Sequence, residues 1–179
     1  MNASTSSIAY AGIGSRETPR NVLDLMERIG YLMALKGHTL RSGGAPGADV
    51  AFEFGCLLAN GPKEIYLPWK GFRDSTQEGN GYSFGATPDA YDMAARFHPA
   101  WSRCSRGART LHARNCHQVL GKDLQSPVSR VICWTVGAKG GGGTGQALRI
   151  AKHHGIRVDD LADPATFDKY HDAVLSAEY

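Results

Sequence analysis

Three short segments of the chain combine glycine with hydroxyl, amide or cationic side chains. They are Gly12-Ile13-Gly14-Ser15-Arg16, Ser42-Gly43-Gly44-Ala45-Pro46-Gly47-Ala48-Asp49 and Gly141-Gly142-Gly143-Thr144-Gly145-Gln146. Glycine lets a main chain come close to a ligand, and N–H groups exposed at such a turn or at a helix start bind anions, phosphate above all. In the first segment Ser15 adds a donor and Arg16 a neutralising cation. No further glycine completes the dinucleotide pattern GxGxxG. In the third, Thr144 adds a hydroxyl and Gln146 an amide, and no Gly-Lys-Ser/Thr follows, which excludes a Walker loop. In the second, Ser42, Gly43 and Gly44 precede Asp49, a carboxylate suited to the first turn of a helix. Glu53 follows one turn later on the same face, in a position to meet a ribose or to lie exposed.

A fourth group is His112-Ala113-Arg114-Asn115-Cys116-His117. Arg114 and Asn115 are its candidates for ligand contact. His112 and Cys116, four apart on a helix, have the spacing to share a metal, but no second pair with metal-site spacing accompanies them, and the sequence points to no metal and no cofactor. Trp69, Trp101 and Tyr82 are candidates to stack on a base or to sit in the core. Arg103, Arg106, Arg109 and Arg114 have the density of a phosphate-contacting cluster, and equally that of a solvated helix face.

The elements that must position these residues follow from hydrophobic periodicity. Apolar runs at 8–11, 38–42, 64–68, 131–134 and 156–158 read as strands. Helical spacing appears between Pro19 and Gly37, and helices are expected over 48–59, 88–97, 107–120 and 146–154, with one more beyond Asp163. The stretch 70–87 is polar and aperiodic and reads as a long loop. Strands alternating with helices imply an α/β, Rossmann-like three-layer sandwich: a mostly parallel central sheet with helices on both faces. Each glycine segment follows a strand, so all three are expected at the carboxyl ends of the strands, where such sheets bind ligands.

At 179 residues the chain has the length for one domain, expected over 1–179. A net charge of +3 tolerates a phosphate ligand but is too small to imply nucleic-acid binding by itself. No apolar run approaches the roughly 20 residues of a membrane span, and residues 1–7 lack a leader pattern. Four scattered cysteines without a CxxC pair fit a reducing, cytoplasmic setting.

Taken together, Gly-Ile-Gly-Ser-Arg (12–16), Ser-Gly-Gly-Ala-x-Gly-Ala-Asp (42–49), His-x-Arg-Asn (112–115) and Gly-Gly-Thr-Gly-Gln-Ala (142–147) resemble the SLOG superfamily. That group joins the Rossmann domain of DNA-processing protein A with the Lonely guy nucleotide hydrolases, and the chain looks closest to small stand-alone phage and bacterial members. The resemblance implies a nucleotide-type small molecule at the strand ends, and a homo-oligomer. It leaves three functions open: a binder of a nucleoside phosphate, ADP-ribose-type or cyclic nucleotide signal, acting as sensor or sponge; a nucleoside-monophosphate N-glycosidase; or a single-stranded DNA binder in DNA processing. For the hydrolase Arg114 matches the family arginine, while the family glutamate falls at Ala147, so that Glu53 or Asp49 would have to replace it. Keeping the phosphate loops while losing that glutamate favours the binder.

Overall fold

The computed structural model describes residues 7–75 and 78–177. The leaderless reading of the N-terminus therefore falls almost wholly outside the described residues, as do two positions of the long loop. Six strands, β1 (Ala9–Gly12), β2 (Thr39–Ser42), β3 (Lys63–Leu67), β4 (Tyr82–Phe84), β5 (Arg130–Cys133) and β6 (Arg157–Asp160), form one sheet in the order β4-β3-β2-β1-β5-β6. Every pairing in it is parallel. Six helices accompany them: α1 (Arg20–Leu35), α2 (Ala48–Leu58), α3 (Pro88–Phe97), α4 (Arg106–Leu120), α5 (Gly142–His153) and α6 (Pro164–Ala177).

Alternation along the strands sends neighbouring side chains to opposite faces, and this builds two cores. Tyr10, Leu40, Ile65, Leu67 and Ile132 pack with Val22, Met26 and Ile29 of α1, Phe52 and Cys56 of α2 and Val174 of α6. Ala11, Val131 and Cys133 face the other way, onto Ala94 of α3, Ala113, Cys116 and Val119 of α4 and Ala147 and Ile150 of α5. The result is the three-layer α/β sandwich that the periodicity implied, with the sheet wholly rather than mostly parallel. Phe52, fully buried and edge-on to the Tyr10 ring at 6.4 Å, shows the first core at its tightest. Burying a side chain of that size contributes about 1.5–3 kcal/mol.

Two elements differ from the sequence reading. β4 lies inside the stretch read as loop. Its three residues are too few for alternation to register, and left-handed glycines at Gly79, Gly81 and Gly85 flank them. α5 starts at Gly142 rather than Gln146; its first turn carries three glycines, which are poor helix formers, so residue types alone do not announce it.

The strand order fixes where a ligand can enter. From β1 the chain steps outward through β2, β3 and β4, then crosses back over the sheet by α3 and α4 to place β5 on the other side of β1. The loops leaving β1 and β5 therefore diverge, opening a crevice at the carboxyl ends of these two strands.

Candidate functional site

A cleft of about 550 Å³ occupies that crevice. Gly14, Ser15 and Arg16 line it from the β1 loop, Asp49 from the start of α2, Arg114 and Asn115 from α4, and Gly142, Gly143 and Thr144 from the start of α5. Ile13, Ala108, Leu111 and Val136 add apolar wall. A second hollow of about 440 Å³ lies elsewhere, beside Arg41, Glu64, Tyr66 and Tyr82. Its buried cation, Arg41, is already engaged by Glu64 at 2.7 Å and by the Ser126 carbonyl.

Asp49 and Arg114 form the floor of the cleft, each with about 5% or less of its side chain exposed. Asp49 Oδ1 accepts the Gly14 N–H at 3.2 Å and Oδ2 the Ala45 N–H at 3.3 Å. The carboxylate thus consumes amides of both early glycine loops and ties them together. Arg114 Nη1 stands 3.8 Å from Asp49 Oδ2 and donates to the Tyr66 carbonyl at 3.3 Å. Gln118, with its amide turned to match its neighbours, accepts from Gly43 N at 2.7 Å and from Arg114 Nη1 at 3.1 Å. Burial pushes the Asp49 carboxyl up, against the pull of Arg114 and of backbone N–H groups. Burial likewise lowers the Arg114 guanidinium, with Asp49 opposing. Arg114 Nε is buried and has no hydrogen-bond partner among the described residues.

The β5–α5 side is built differently. Asp160, at the end of β6, accepts from the Thr135 hydroxyl and from Thr135 N at 3.1 Å, and Thr135 Oγ1 in turn accepts the Gly140 N–H at 3.0 Å. Those bonds hold a loop that passes through left-handed conformations at Gly137, Ala138 and Gly140 before α5 begins. No side chain caps α5, no acidic residue stands in its first turn, and Gly141, Gly142 and Gly143 are exposed. The Gly143 carbonyl accepts from Asn115 Nδ2 at 3.0 Å and the Gly141 carbonyl from the Gly145 N–H at 3.1 Å. The first four amides at a helix start have no intrahelical partner, and the residues that carry them here, Gly141, Gly142, Gly143 and Thr144, line the cleft.

The remaining sequence candidates lie behind the cleft. Gly12 ends β1, its carbonyl accepting the hydroxyl of fully buried Ser42 at 2.7 Å. Gly43 carries the Arg114 guanidinium on its backbone: a Cβ there would lie 1.3 Å from Nη1. Gly44 is left-handed and its carbonyl accepts from Arg73 at 2.9 Å. Gln146 is fully buried, with Oε1 3.1 Å from His112 Nδ1. Glu53 is buried rather than exposed and is held by Arg73 at 3.0 Å and Tyr82 at 2.6 Å, outside the cleft lining.

Nor do the aromatic candidates reach the cleft. Tyr82 serves Glu53, Trp69 meets Phe72 edge-on, and Trp101 lies under Arg109 at 5.4 Å. The arginine cluster divides as well: Arg103 and Arg106 are exposed, while Arg114 is buried at the floor of the cleft. Sequence reasoning passed over Thr135, Asp160, Gln118 and the exposed Glu17 at the cleft mouth. An aspartate closing the last strand, with a threonine just past the end of its neighbour, was the available signal for the first two.

Among the described residues no helix is long and apolar enough to cross a membrane. No protein-family model matches the chain, and no curated protein matches it. In fold it is similar to two solved structures of the molybdenum cofactor carrier protein of Chlamydomonas reinhardtii. One has a TM-score of 0.48 at 18% identity, covering 93% of this chain and 85% of that one. The other has a TM-score of 0.42 at 17% identity, covering 95% of this chain and 98% of that one.

Proposed function

We propose that this chain is a SLOG-like, single-domain binder of a nucleotide or nucleotide-derived small molecule, whose phosphate sits on the N-terminus of α5. The observation that carries this reading is the pairing of an uncapped twelve-residue helix with a buried guanidinium across one cleft. The helix offers amides and partial positive charge, exposed Arg16 offers full charge above the Arg114–Asp49 pair of the floor, and the apolar side of Ile13, Leu111 and Val136 suits a base.

Binding is favoured over N-glycoside cleavage by the fate of the positions that the hydrolase reading needs. Ala147, at the place of the family glutamate, is fully buried in the core. Glu53 is spent on Arg73 and Tyr82, and Asp49 on backbone amides and Arg114. A carboxylate saturated in this way holds loops in place; it is poorly placed to accept a proton or to stabilise an oxocarbenium ion.

The test is a thermal-shift panel of nucleoside monophosphates, ADP-ribose derivatives and cyclic dinucleotides, with each mixture chromatographed afterwards. A saturable shift with the ligand recovered intact is expected. Release of free base would replace the binder with the hydrolase. No shift from any of them, with salt-dependent retention of single-stranded DNA lost on joint substitution of Arg103, Arg106 and Arg109, would replace it with the DNA reading.

A further inference from the structure

The segment joining α3 to α4 folds three metal-ligating side chains together on the flank of the cleft. His98 ends α3, Cys104 precedes the Ser105 cap of α4, and His112 lies in the second turn of α4. Their donor atoms all fall within 4.8 Å of one another. Cys104 Sγ is 3.7 Å from His98 Nδ1 and 3.8 Å from Nε2, and the two imidazole centroids are 4.3 Å apart. Zinc bonds of about 2.0–2.1 Å to nitrogen and about 2.3 Å to sulfur, at tetrahedral angles, set such donors roughly 3.3–3.7 Å apart. The three side chains therefore stand close to ligating distance already. The pair with the suggestive spacing, His112 and Cys116, is not this cluster, because the Cys116 thiol points instead at the Ala90 and His112 carbonyls.

A second and independent observation concerns the tautomer of His112. Its Nδ1 lies 3.1 Å from Gln146 Oε1, and the Gln146 amide is oriented by donating from Nε2 toward Cys116 Sγ. Nδ1 therefore carries the proton and Nε2 presents its lone pair, the arrangement by which a buried amide or carboxylate orients a metal-bound histidine. His98 Nδ1 now accepts the Ala100 N–H at 3.2 Å, a bond that ligation at that nitrogen would replace.

We propose that His98, Cys104 and His112 form a binding site for a thiophilic divalent cation of the zinc type. Cys104 binds as the thiolate, its proton passing to solvent. Three protein donors leave a fourth position for water or for an oxygen of another ligand. Because His112 also lines the cleft, the site adjoins the place assigned above to the nucleotide, but it stands whether or not that reading holds.

The experiment is a titration of chelator-treated, phosphine-reduced full-length protein with Co²⁺, followed by displacement with Zn²⁺. One equivalent should bind, with a thiolate-to-cobalt charge-transfer band that Zn²⁺ abolishes. Cys104→Ser should remove that band, and Cys104→Ser and His98→Ala should each weaken Zn²⁺ by about 100-fold or more, on the scale of losing a ligand or its support. Cys56→Ser, far from the cluster, should leave both readouts unchanged, and circular dichroism should show each variant folded. No charge-transfer band in the parent protein, or an undiminished one in Cys104→Ser, overturns the proposal. So does Zn²⁺ affinity that survives in His98→Ala.

Discussion

The chain carries two kinds of glycine-rich region that look alike when written out and behave differently in space. In the loops after β1 and β2 there is no room beside the backbone: Cβ atoms would lie 2.6 Å from Phe52 at Gly12, 2.7 Å from Ala48 at Gly14 and 1.3 Å from Arg114 at Gly43. At the start of α5, added Cβ atoms at Gly141 and Gly143 would meet nothing within 4 Å. The early loops are glycine-rich so that protein can pack on protein, with Asp49 filling the place an anion would take. At Gly141 and Gly143 the α5 turn is glycine where only solvent, or a ligand, is present, whereas Gly145 at the end of that turn packs on the Gly140 carbonyl as the early glycines pack on their neighbours. Glycine content alone therefore identifies close approach, and what approaches has to be read from the neighbours.

The contrast can be broken most severely at its buried side. Arg114→Met is expected to cost about 3–5 kcal/mol, because it leaves Asp49 buried with its cation removed. Urea denaturation of the variant would show the loss, and an unchanged midpoint would mean that the pair does not hold the loops. Gly43→Ala comes next, at about 1–3 kcal/mol from overpacking against the guanidinium. The same substitution at Gly143 is expected to change stability by no more than about 0.5 kcal/mol, the level of an ordinary surface change. Equal costs at the two sites would erase the distinction between the regions.

Acid should sharpen the comparison on the packed side alone. His117 is buried on α4, with Nδ1 3.0 Å from the Gly121 carbonyl and Nε2 accepting the Thr87 N–H at 3.3 Å, its ring beside Tyr66 at 5.5 Å. Burial, with a smaller push from Lys122, holds it below its ordinary value. A histidine depressed in the fold takes its proton later than it does in the unfolded chain. Its stabilisation is therefore complete above the unfolded value of about 6.5 and is lost as pH falls from there through the folded value. The urea midpoint should drop between pH 7 and pH 5, and less so in His117→Gln. An identical drop in both would remove His117 from the account.

A small effect on stability is expected to bring a large effect on binding. Gly143→Asp adds a carboxylate where the helix dipole welcomes one, so stability should hold or rise by about 0.3–1 kcal/mol. Nucleotide affinity should nevertheless fall by tenfold or more, measured calorimetrically with whichever ligand shifts the melting temperature, because the new charge occupies the phosphate position.

The same contrast explains what was legible in the sequence. Strands with three or four apolar residues and helices with a clean apolar stripe announced themselves, and five of the six strands and all six helices follow from them. β4 did not, because three residues among left-handed glycines carry no period. At the site, residue types showed which loops converge, but not which members face the cleft. Ser42 and Gln146 carry ligand-like groups and turn them inward to Gly12 and His112. Glu53 was placed with a ribose or in solvent, yet it is consumed by Arg73 and Tyr82, one of which lies in the stretch without periodicity and the other in the strand hidden there. His98 and Cys104 meet His112 only because the α3–α4 connection doubles back, which no local spacing encodes.

The most direct measurement is a pair of amide-resolved NMR titrations, one with a nucleoside monophosphate that stabilises the protein and one with the matching nucleoside. The account expects the amides of Gly142, Gly143 and Thr144 to shift strongly with the monophosphate and little with the nucleoside, while Gly43 and Gly44 stay nearly still in both. Shifts centred on Gly43 and Gly44, with the α5 amides unmoved, would contradict it and return the phosphate to the loops that Asp49 now fills.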